Sequence, residues 1–277
     1  PTKARLEILD STGAVLRTFE HDTTSADSAR STRPRSGRRR FAPQYLPVSA
    51  GLNRLTWDLR TQPIASFPGM ILWGAGTAGP QLPPGRFTAR LVADGRTASV
   101  PFEVKRNPLI TDVSDADLRA QYVFSRQVWE RADSANRSVI AIRRVKAQLD
   151  DRVGRAPNDA ALQSAADSLR TRVSAIEEHI YQVRNQSGQD PLNFPIKVNN
   201  RLANLLAMAQ RGDGPPNAGM RDIFRILSAE LAGYTAQLTE AWRDGLPRVN
   251  RELARLALPA VDPRCEKSEG CALAQAQ

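Results

Sequence analysis

The hydrophobic pattern of this chain changes its period once, and that change limits the fold classes open to it. Before about residue 107, apolar residues alternate with polar ones in short runs, which is the period of two of a half-buried β-strand. From Ser114 onward they recur every three or four residues, as on one face of a helix. Strands that precede helices, instead of alternating with them, predict an α+β fold in two domains.

The first 107 residues predict an antiparallel β domain. Turn residues at Ser11-Thr-Gly13 and at Asp94-Gly95 each join two alternating runs into a hairpin. We expect an immunoglobulin-like β-sandwich over residues 1–107, with two long loops at 20–47 and 61–84. The expected strands are residues 3–9, 15–19, 51–59, 86–92 and 99–104. The expected core side chains are Trp57, Phe87, Leu91 and Phe102.

After a linker at 108–113, residues 114–256 predict a four-helix bundle of up-down antiparallel topology. Ser114 is expected to cap the first helix, and a break or a kink is expected at Gly245 and Pro247. The expected helices cover about residues 114–153, 158–186, 196–210 and 218–243, with a terminal helical piece to 256. The second helix has an apolar seam at Leu162, Ala166, Leu169, Val173, Ile176, Ile180 and Val183. The last helix is expected to bury Ile223, Leu227, Leu231, Tyr234, Leu238 and Trp242.

Basic charge is concentrated in one segment of the chain. The net charge is +10, and 34 arginines stand against 5 lysines. Aromatic residues make up 6% of the chain and none lies among the clustered arginines, so the base-stacking platform of a nucleic-acid site is missing and nucleic acid is not the expected partner. An acidic protein surface would suit the cluster, and so would anionic lipid headgroups. The clustered residues are Arg30, Arg33, Arg35, Arg38, Arg39 and Arg40.

The two cysteines lie in the predicted extended tail, residues 257–277. Cys265 and Cys271 enclose five residues that include Gly270, and a loop of this kind can close as a disulfide. An even cysteine count fits an oxidising compartment. The alternative is two free thiols in the tail.

Motifs with catalytic meaning are weak in this sequence. Residues 74–79 match the dinucleotide pattern G-x-G-x-x-G, but prolines follow where a helix N-terminus would have to hold the pyrophosphate. Glu177-Glu178-His179 lacks the second histidine of a zinc-protease helix, and its glutamates are expected on a solvated face, paired with arginines such as Arg172 or Arg184. We therefore predict no catalytic residue, no metal site and no cofactor.

The loop at 61–84 contains apolar side chains that are expected to be buried, either within the protein or against a partner. Phe67, Met70 and Trp73 lie among prolines and glycines, and either they pack between the two domains or they form a contact patch for a partner. A third use, binding of carbohydrate, would involve Trp73 or Tyr45.

Several segments together resemble the C-terminal region of large exported bacterial proteins with a sortilin-like BNR β-propeller, which are often labelled glycosyl hydrolases. The resemblance spans roughly residues 45–255. It implies export, an immunoglobulin-like module and a helical domain after it. The propeller itself is absent from these residues, so no catalytic residue carries over. The segments that carry the resemblance are residues 51–60, 67–74, 84–92, 142–150, 180–185 and 189–197.

Together these features predict a non-catalytic, extracytoplasmic interaction or scaffold subunit that binds and stabilises a larger assembly. An example of such an assembly is a respiratory or photosynthetic membrane complex. The subunit would bind its periplasmic face, and the partner protein would be embedded in the membrane. No apolar run is long enough to cross a membrane. The chain begins at Pro1, without methionine, and we expect it to be a processed or excised piece of a longer protein. The alternative is the C-terminal accessory region of a sortilin-like propeller hydrolase.

Overall fold

The computed structural model describes residues 4–21 and 45–264 of the 277-residue chain. This part contains four β-strands and four α-helices, with a short 3₁₀ helix at Asp190–Leu192 between the second and third α-helices. All four strands precede all four α-helices, so the predicted α+β class is confirmed.

The strands form one antiparallel sheet. In chain order they are β1 (Ala4–Leu9), β2 (Val15–Glu20), β3 (Gly85–Ala93) and β4 (Arg96–Val104). Their order across the sheet is β2-β1-β3-β4, so β2 and β4 are the edges. Both predicted hairpins are confirmed, β1 with β2 and β3 with β4. Asp94 and Gly95 have φ of 45° and 79°, as the two central residues of a type I′ turn require.

One face of this sheet carries its apolar core. Phe19 and Phe87 are buried there, and Trp57 meets the rings of Phe19 and Phe102 edge-on, with 6.3 Å between ring centroids in each pair. The prediction that Leu91 belongs to this core is wrong, because its side chain is 41% exposed. It lies near the end of β3, where the neighbouring residues of edge strand β4 are exposed as well.

The strand predicted at residues 51–59 is wrong. The structure gives this segment no strand conformation, and an isolated bridge joins Arg60 to Gln81 just after it. Leu55 and Trp57 nevertheless pack against the core of the sheet. An alternating pattern shows that one side of an extended segment is buried, and an extended loop across a sheet face produces the same pattern as a strand.

The four helices are α1 (Asp115–Arg155), α2 (Ala160–Ile180), α3 (Val198–Ala209) and α4 (Ala218–Arg255). The predicted Ser114 cap is confirmed. Its hydroxyl accepts a hydrogen bond from the Asp117 N–H at 3.2 Å, and its own N–H donates to the Asp117 carboxylate at 3.0 Å. The hydrogen bond from the Ser114 side chain is the main cause that holds the pKa of Asp117 below its ordinary value.

Helix α2 buries six of the seven predicted seam residues. It ends at Ile180, earlier than predicted, because Tyr181 is extended with φ −130° and ψ 143°. Val183, the seventh seam residue, lies beyond the helix and is 38% exposed.

Helix α4 is continuous through Gly245 and Pro247, so the predicted break there is wrong, and the alternative of a kink stays a prediction. Pro247 lies inside the helix on its exposed side, and the fully buried Val249 and Leu253 continue the apolar face beyond it. Packing of that face outweighs the hydrogen bond that proline removes. At the other end of the helix, Ile223 is 45% exposed instead of buried.

The described chain divides into two compact units that do not follow its β and α halves. Unit 1 comprises residues 4–21, 45–64, 74–130 and 203–222. Unit 2 comprises residues 65–73, 131–202 and 223–264. Residues 65–73, from the second long loop, therefore belong with the helices of unit 2. The predicted boundary at 108–113 stays a prediction.

Candidate functional site

Residues 65–73, which we call the strap, contain all three apolar side chains that the sequence singles out in the second long loop. The strap turns at Pro68-Gly69, where the Met70 N–H donates to the Phe67 carbonyl at 3.1 Å. Gly69 has φ +75°, which suits the third position of a type II turn after proline. The turn divides the strap into two arms.

Polar side chains of α1 hold the first arm by its main chain. The Ala65 N–H donates to the Asp133 carboxylate at 2.6 Å, and the Asn136 amide donates to the Ala65 carbonyl at 2.7 Å. Asp133 also accepts from Arg137 at 2.5 Å, and Asn136 accepts from the Asn199 amide at 3.1 Å. Asn136 and Asn199 are almost fully buried, so the hydrogen bonds of Asn136 are shielded from water.

Two further side chains hold the second arm. The Ile71 N–H donates to the Tyr181 hydroxyl at 3.1 Å, and that hydroxyl donates to the Gly69 carbonyl at 3.3 Å. Burial is the main cause that raises the pKa of the Tyr181 phenol. Asn200 binds both main-chain groups of Trp73, accepting from its N–H at 2.7 Å and donating to its carbonyl at 3.0 Å.

A cluster of charged side chains around the buried Glu177 lies beside the first arm. The Phe67 ring meets the Tyr181 ring edge-on at 5.0 Å, and the Arg143 guanidinium lies 4.5 Å from the Phe67 ring centroid and 5.2 Å from that of Tyr181. Arg143 also donates to Glu177 at 2.7 Å, and Lys146 donates to the other carboxylate oxygen of Glu177 at 3.1 Å. The Glu177 carboxylate is therefore paired with two cations, and one of them covers the strap's aromatic ring.

The expectation that Glu177 lies on a solvated face is wrong. It is 2% exposed and bonded to α1, whereas its neighbour Glu178 is exposed. Arg172 and Arg184 are not its partners: Arg172 pairs with Asp244 and Glu240 at 3.2 Å and 3.7 Å, and Arg184 lies 4.1 Å from the ring centroid of Phe194.

The structure separates the three apolar residues predicted to bind a partner. Phe67 and Met70, which belong to unit 2, are buried, and Trp73 is 36% exposed. The six clustered arginines, Arg30 to Arg40, and the cysteines Cys265 and Cys271 lie outside the described residues. Their predicted roles in partner binding and in a disulfide stay predictions.

Sequence reasoning missed the side chains that hold the strap. They are Asp133, Asn136, Tyr181, Asn199 and Asn200. The sequence gives a weak signal for Asn136, because the neighbouring helix positions Ala132, Ala135 and Val139 are apolar and buried. A polar residue among buried helical positions needs a hydrogen-bond partner. Nothing in the local sequence indicates that the partner is a main-chain carbonyl 71 residues away.

A cleft of about 220 Å³ lies within unit 1, lined by the end of β4, the start of α1 and the turn after α3. The amide of Gln121 in its wall donates to the Ala209 carbonyl at 2.8 Å, and the Gln210 side chain accepts from Arg60 at 2.6 Å and from the Gln81 N–H at 2.9 Å. These amides fix the wall of the cleft.

No group of three or more histidine, cysteine, aspartate and glutamate side chains is placed to hold a metal ion in residues 4–21 and 45–264. Within the same ranges, none of the helices combines the length and the apolar character needed to span a membrane. In the strap site, the side chains of Asp133, Asn136, Tyr181 and Asn200 bond to main-chain groups. The arrangement recognises and fixes a peptide main chain.

Neither protein-family models, nor curated proteins, nor solved structures include a match to this chain. The resemblance to sortilin-like propeller proteins therefore stays a prediction.

Proposed function

We propose that this protein is a non-catalytic interaction subunit that binds a larger assembly, with Trp73 as a principal contact. The proposal rests on how Trp73 is held and how far it is exposed. Asn200 fixes both its N–H and its carbonyl, at 2.7 Å and 3.0 Å, while the residue stays 36% exposed.

A tryptophan held in this way is suited to protein recognition. Tryptophan is enriched among the few residues that contribute most of the free energy of a protein interface. Binding also costs the conformational entropy of the groups it immobilises, and a main chain that is already fixed has less to lose. An exposed indole on a fixed strap therefore supports a partner-binding role for this surface.

The remaining parts of the proposal rest on the sequence. The partner is a protein complex on the periplasmic side of a membrane, respiratory or photosynthetic, and the arginine cluster docks electrostatically to it or to anionic lipid headgroups. The β part is an immunoglobulin-like domain, and the helices form an up-down bundle. The described strands form a single four-stranded sheet, which supplies one layer of such a domain.

The test is association of the full chain with solubilised membranes of its source organism, measured by affinity capture and quantitative mass spectrometry. Trp73→Ala is expected to reduce the captured partner at least tenfold. Leu192→Ala is the matched control, because Leu192 is a 70% exposed apolar residue of the same unit.

Both variants must keep the circular dichroism spectrum and thermal midpoint of the wild type to within a few degrees. Capture that is unchanged by Trp73→Ala, or reduced equally by Leu192→Ala, would contradict the role of Trp73. Hydrolysis of glycans or peptides by the purified chain would contradict the non-catalytic assignment if the Trp73→Ala variant keeps the same activity.

A further inference from the structure

The strap is bound in the manner of a peptide ligand. Its main chain forms one internal turn bond, between Met70 and Phe67. Its other described hydrogen bonds join main-chain groups of four residues to side chains that are 68 to 127 positions away along the chain. We call the surface formed by Asp133, Asn136, Tyr181 and Asn200, together with Arg143, the strap groove.

Recognition of the strap main chain is independent of the strap's own side chains. An asparagine side chain carries both a donor and an acceptor, so Asn200 matches the N–H and the carbonyl of one residue. At Ala65 two side chains make these contacts: Asp133 accepts from the N–H, and Asn136 donates to the carbonyl. Any residue with a free N–H and carbonyl satisfies these contacts.

Selectivity comes from the strap side chains that are buried. Phe67 lies against Tyr181 and beneath the Arg143 guanidinium, and it is 8% exposed. Met70 and Leu72 are 5% and 8% exposed. The turn at residues 68 and 69 sets the spacing between the aromatic side chain and the two aliphatic ones. The groove therefore fits an aromatic residue, a Pro-Gly turn and two aliphatic side chains.

We propose that the strap groove is a peptide-binding site and that residues 65–73 are its resident ligand, bound in cis. The groove takes a segment with an aromatic residue, a Pro-Gly turn and two aliphatic residues. A separate peptide of this kind binds when the strap does not fill the groove. This inference stands on the contacts of unit 2 and does not depend on the proposed function.

The experiment uses the full chain with residues 65–73 replaced by nine glycine and serine residues. The probe is a fluorescein-labelled synthetic peptide with the sequence of residues 64–74, and binding is followed by fluorescence anisotropy. Saturable binding is expected, and the wild-type chain, whose groove is filled, should bind at least tenfold more weakly. In the strap-replaced chain, Asn200→Ala should weaken binding at least tenfold, and Asn193→Ala, an exposed position, should not.

A scrambled peptide of the same composition distinguishes groove binding from general hydrophobic adhesion. Equal binding of the native and scrambled peptides, equal binding by wild-type and strap-replaced chains, or no binding to a folded strap-replaced chain would each overturn the proposal.

A second design applies if the strap-replaced chain does not fold. Specific protease sites are introduced after Gln62 and after Ala78, two exposed positions, and the folded chain is then cut at both. The excised segment should stay with the protein through gel filtration under native conditions and should exchange with labelled peptide added in excess. Release of the segment without uptake of the labelled peptide would overturn the proposal.

Discussion

Phe87 in the sheet of unit 1 and Phe67 in the strap of unit 2 are buried to nearly the same extent, 7% and 8% exposed, but different forces hold their segments. Phe87 belongs to β3, which pairs along its whole length with β4, and its ring stacks on Phe102 at 5.7 Å. The strap main chain around Phe67 pairs with no strand and depends on individual side chains of α1, of α3 and of Tyr181, which follows α2. The sheet is therefore expected to tolerate the loss of single polar groups, whereas the strap is not.

The largest effects are expected from the two phenylalanines. Phe67→Ala and Phe87→Ala should each lower the free energy of unfolding by about 3–5 kcal/mol, because each removes a buried aromatic ring and leaves a cavity. Urea unfolding measures this loss. The two variants should differ in amide hydrogen exchange: the Ile71 and Trp73 amides should exchange faster in Phe67→Ala and remain as in the wild type in Phe87→Ala.

Equal exchange of those two amides in both variants would contradict a separately held strap. Phe67→Leu is the conservative control, since it keeps an apolar side chain in the groove while removing the ring that Arg143 covers.

The next effect concerns the buried carboxylate. Glu177→Gln should destabilise the chain by about 2–4 kcal/mol, because it leaves two cations beside a neutral amide in a shielded place. Arg143 and Lys146 are 36% and 31% exposed in their side chains, so water offsets part of the loss and the lower end is expected. Thermal unfolding measures the change.

Glu178→Gln is the matched control for this prediction, because the adjacent side chain is exposed. It should change stability by no more than about 0.5 kcal/mol. Similar losses in the two variants would mean that the Glu177 pairs contribute no more than a surface charge.

A smaller loss is expected at the end of the strap. Asn200→Ala removes the partner of both main-chain groups of Trp73 and should cost about 1–3 kcal/mol. The Trp73 amide should lose its protection from hydrogen exchange in the same variant. Asn193→Ala, at an exposed position after the 3₁₀ helix, should leave both quantities unchanged. Retained protection of the Trp73 amide in Asn200→Ala would show that the Asn200 side chain does not fix this residue.

The smallest effect is a dependence on pH that the two units share. The pKa of Asp10 in the β1–β2 turn is lowered chiefly by the Thr12 hydroxyl, and the pKa of Asp190 is lowered chiefly by the Gln186 N–H. A carboxyl whose pKa is lower in the folded state stabilises the fold above its ordinary value of 3.8 and loses that contribution as pH falls through the folded value.

Stability should therefore fall as the pH is lowered below about 4. Asp10→Asn and Asp190→Asn should each flatten this slope slightly when urea midpoints are measured between pH 2 and pH 6. A slope that neither variant alters would contradict the contribution of these carboxyls.

The parts of the fold that the sequence predicts well depend on neighbours within a few residues. The seam of α2, the Asp94-Gly95 turn and the Ser114 cap are all of this kind. The strap differs, because Trp73 and Asn200 are 127 positions apart and neither shows the other in its local pattern. Separation in sequence also explains the error at Glu177. Its neighbour Glu178 is exposed, and its partner Arg143 lies 34 positions away, on α1.

The central claim is that the chain is a subunit of a larger assembly, and native density-gradient sedimentation of gently solubilised membranes of the source organism tests it most directly. Mass spectrometry locates the chain in the gradient. Co-migration with a large complex, lost in Trp73→Ala, is the predicted result. Migration alone near its own 30.4 kDa, or only with peptides of a sortilin-like propeller, would contradict the claim.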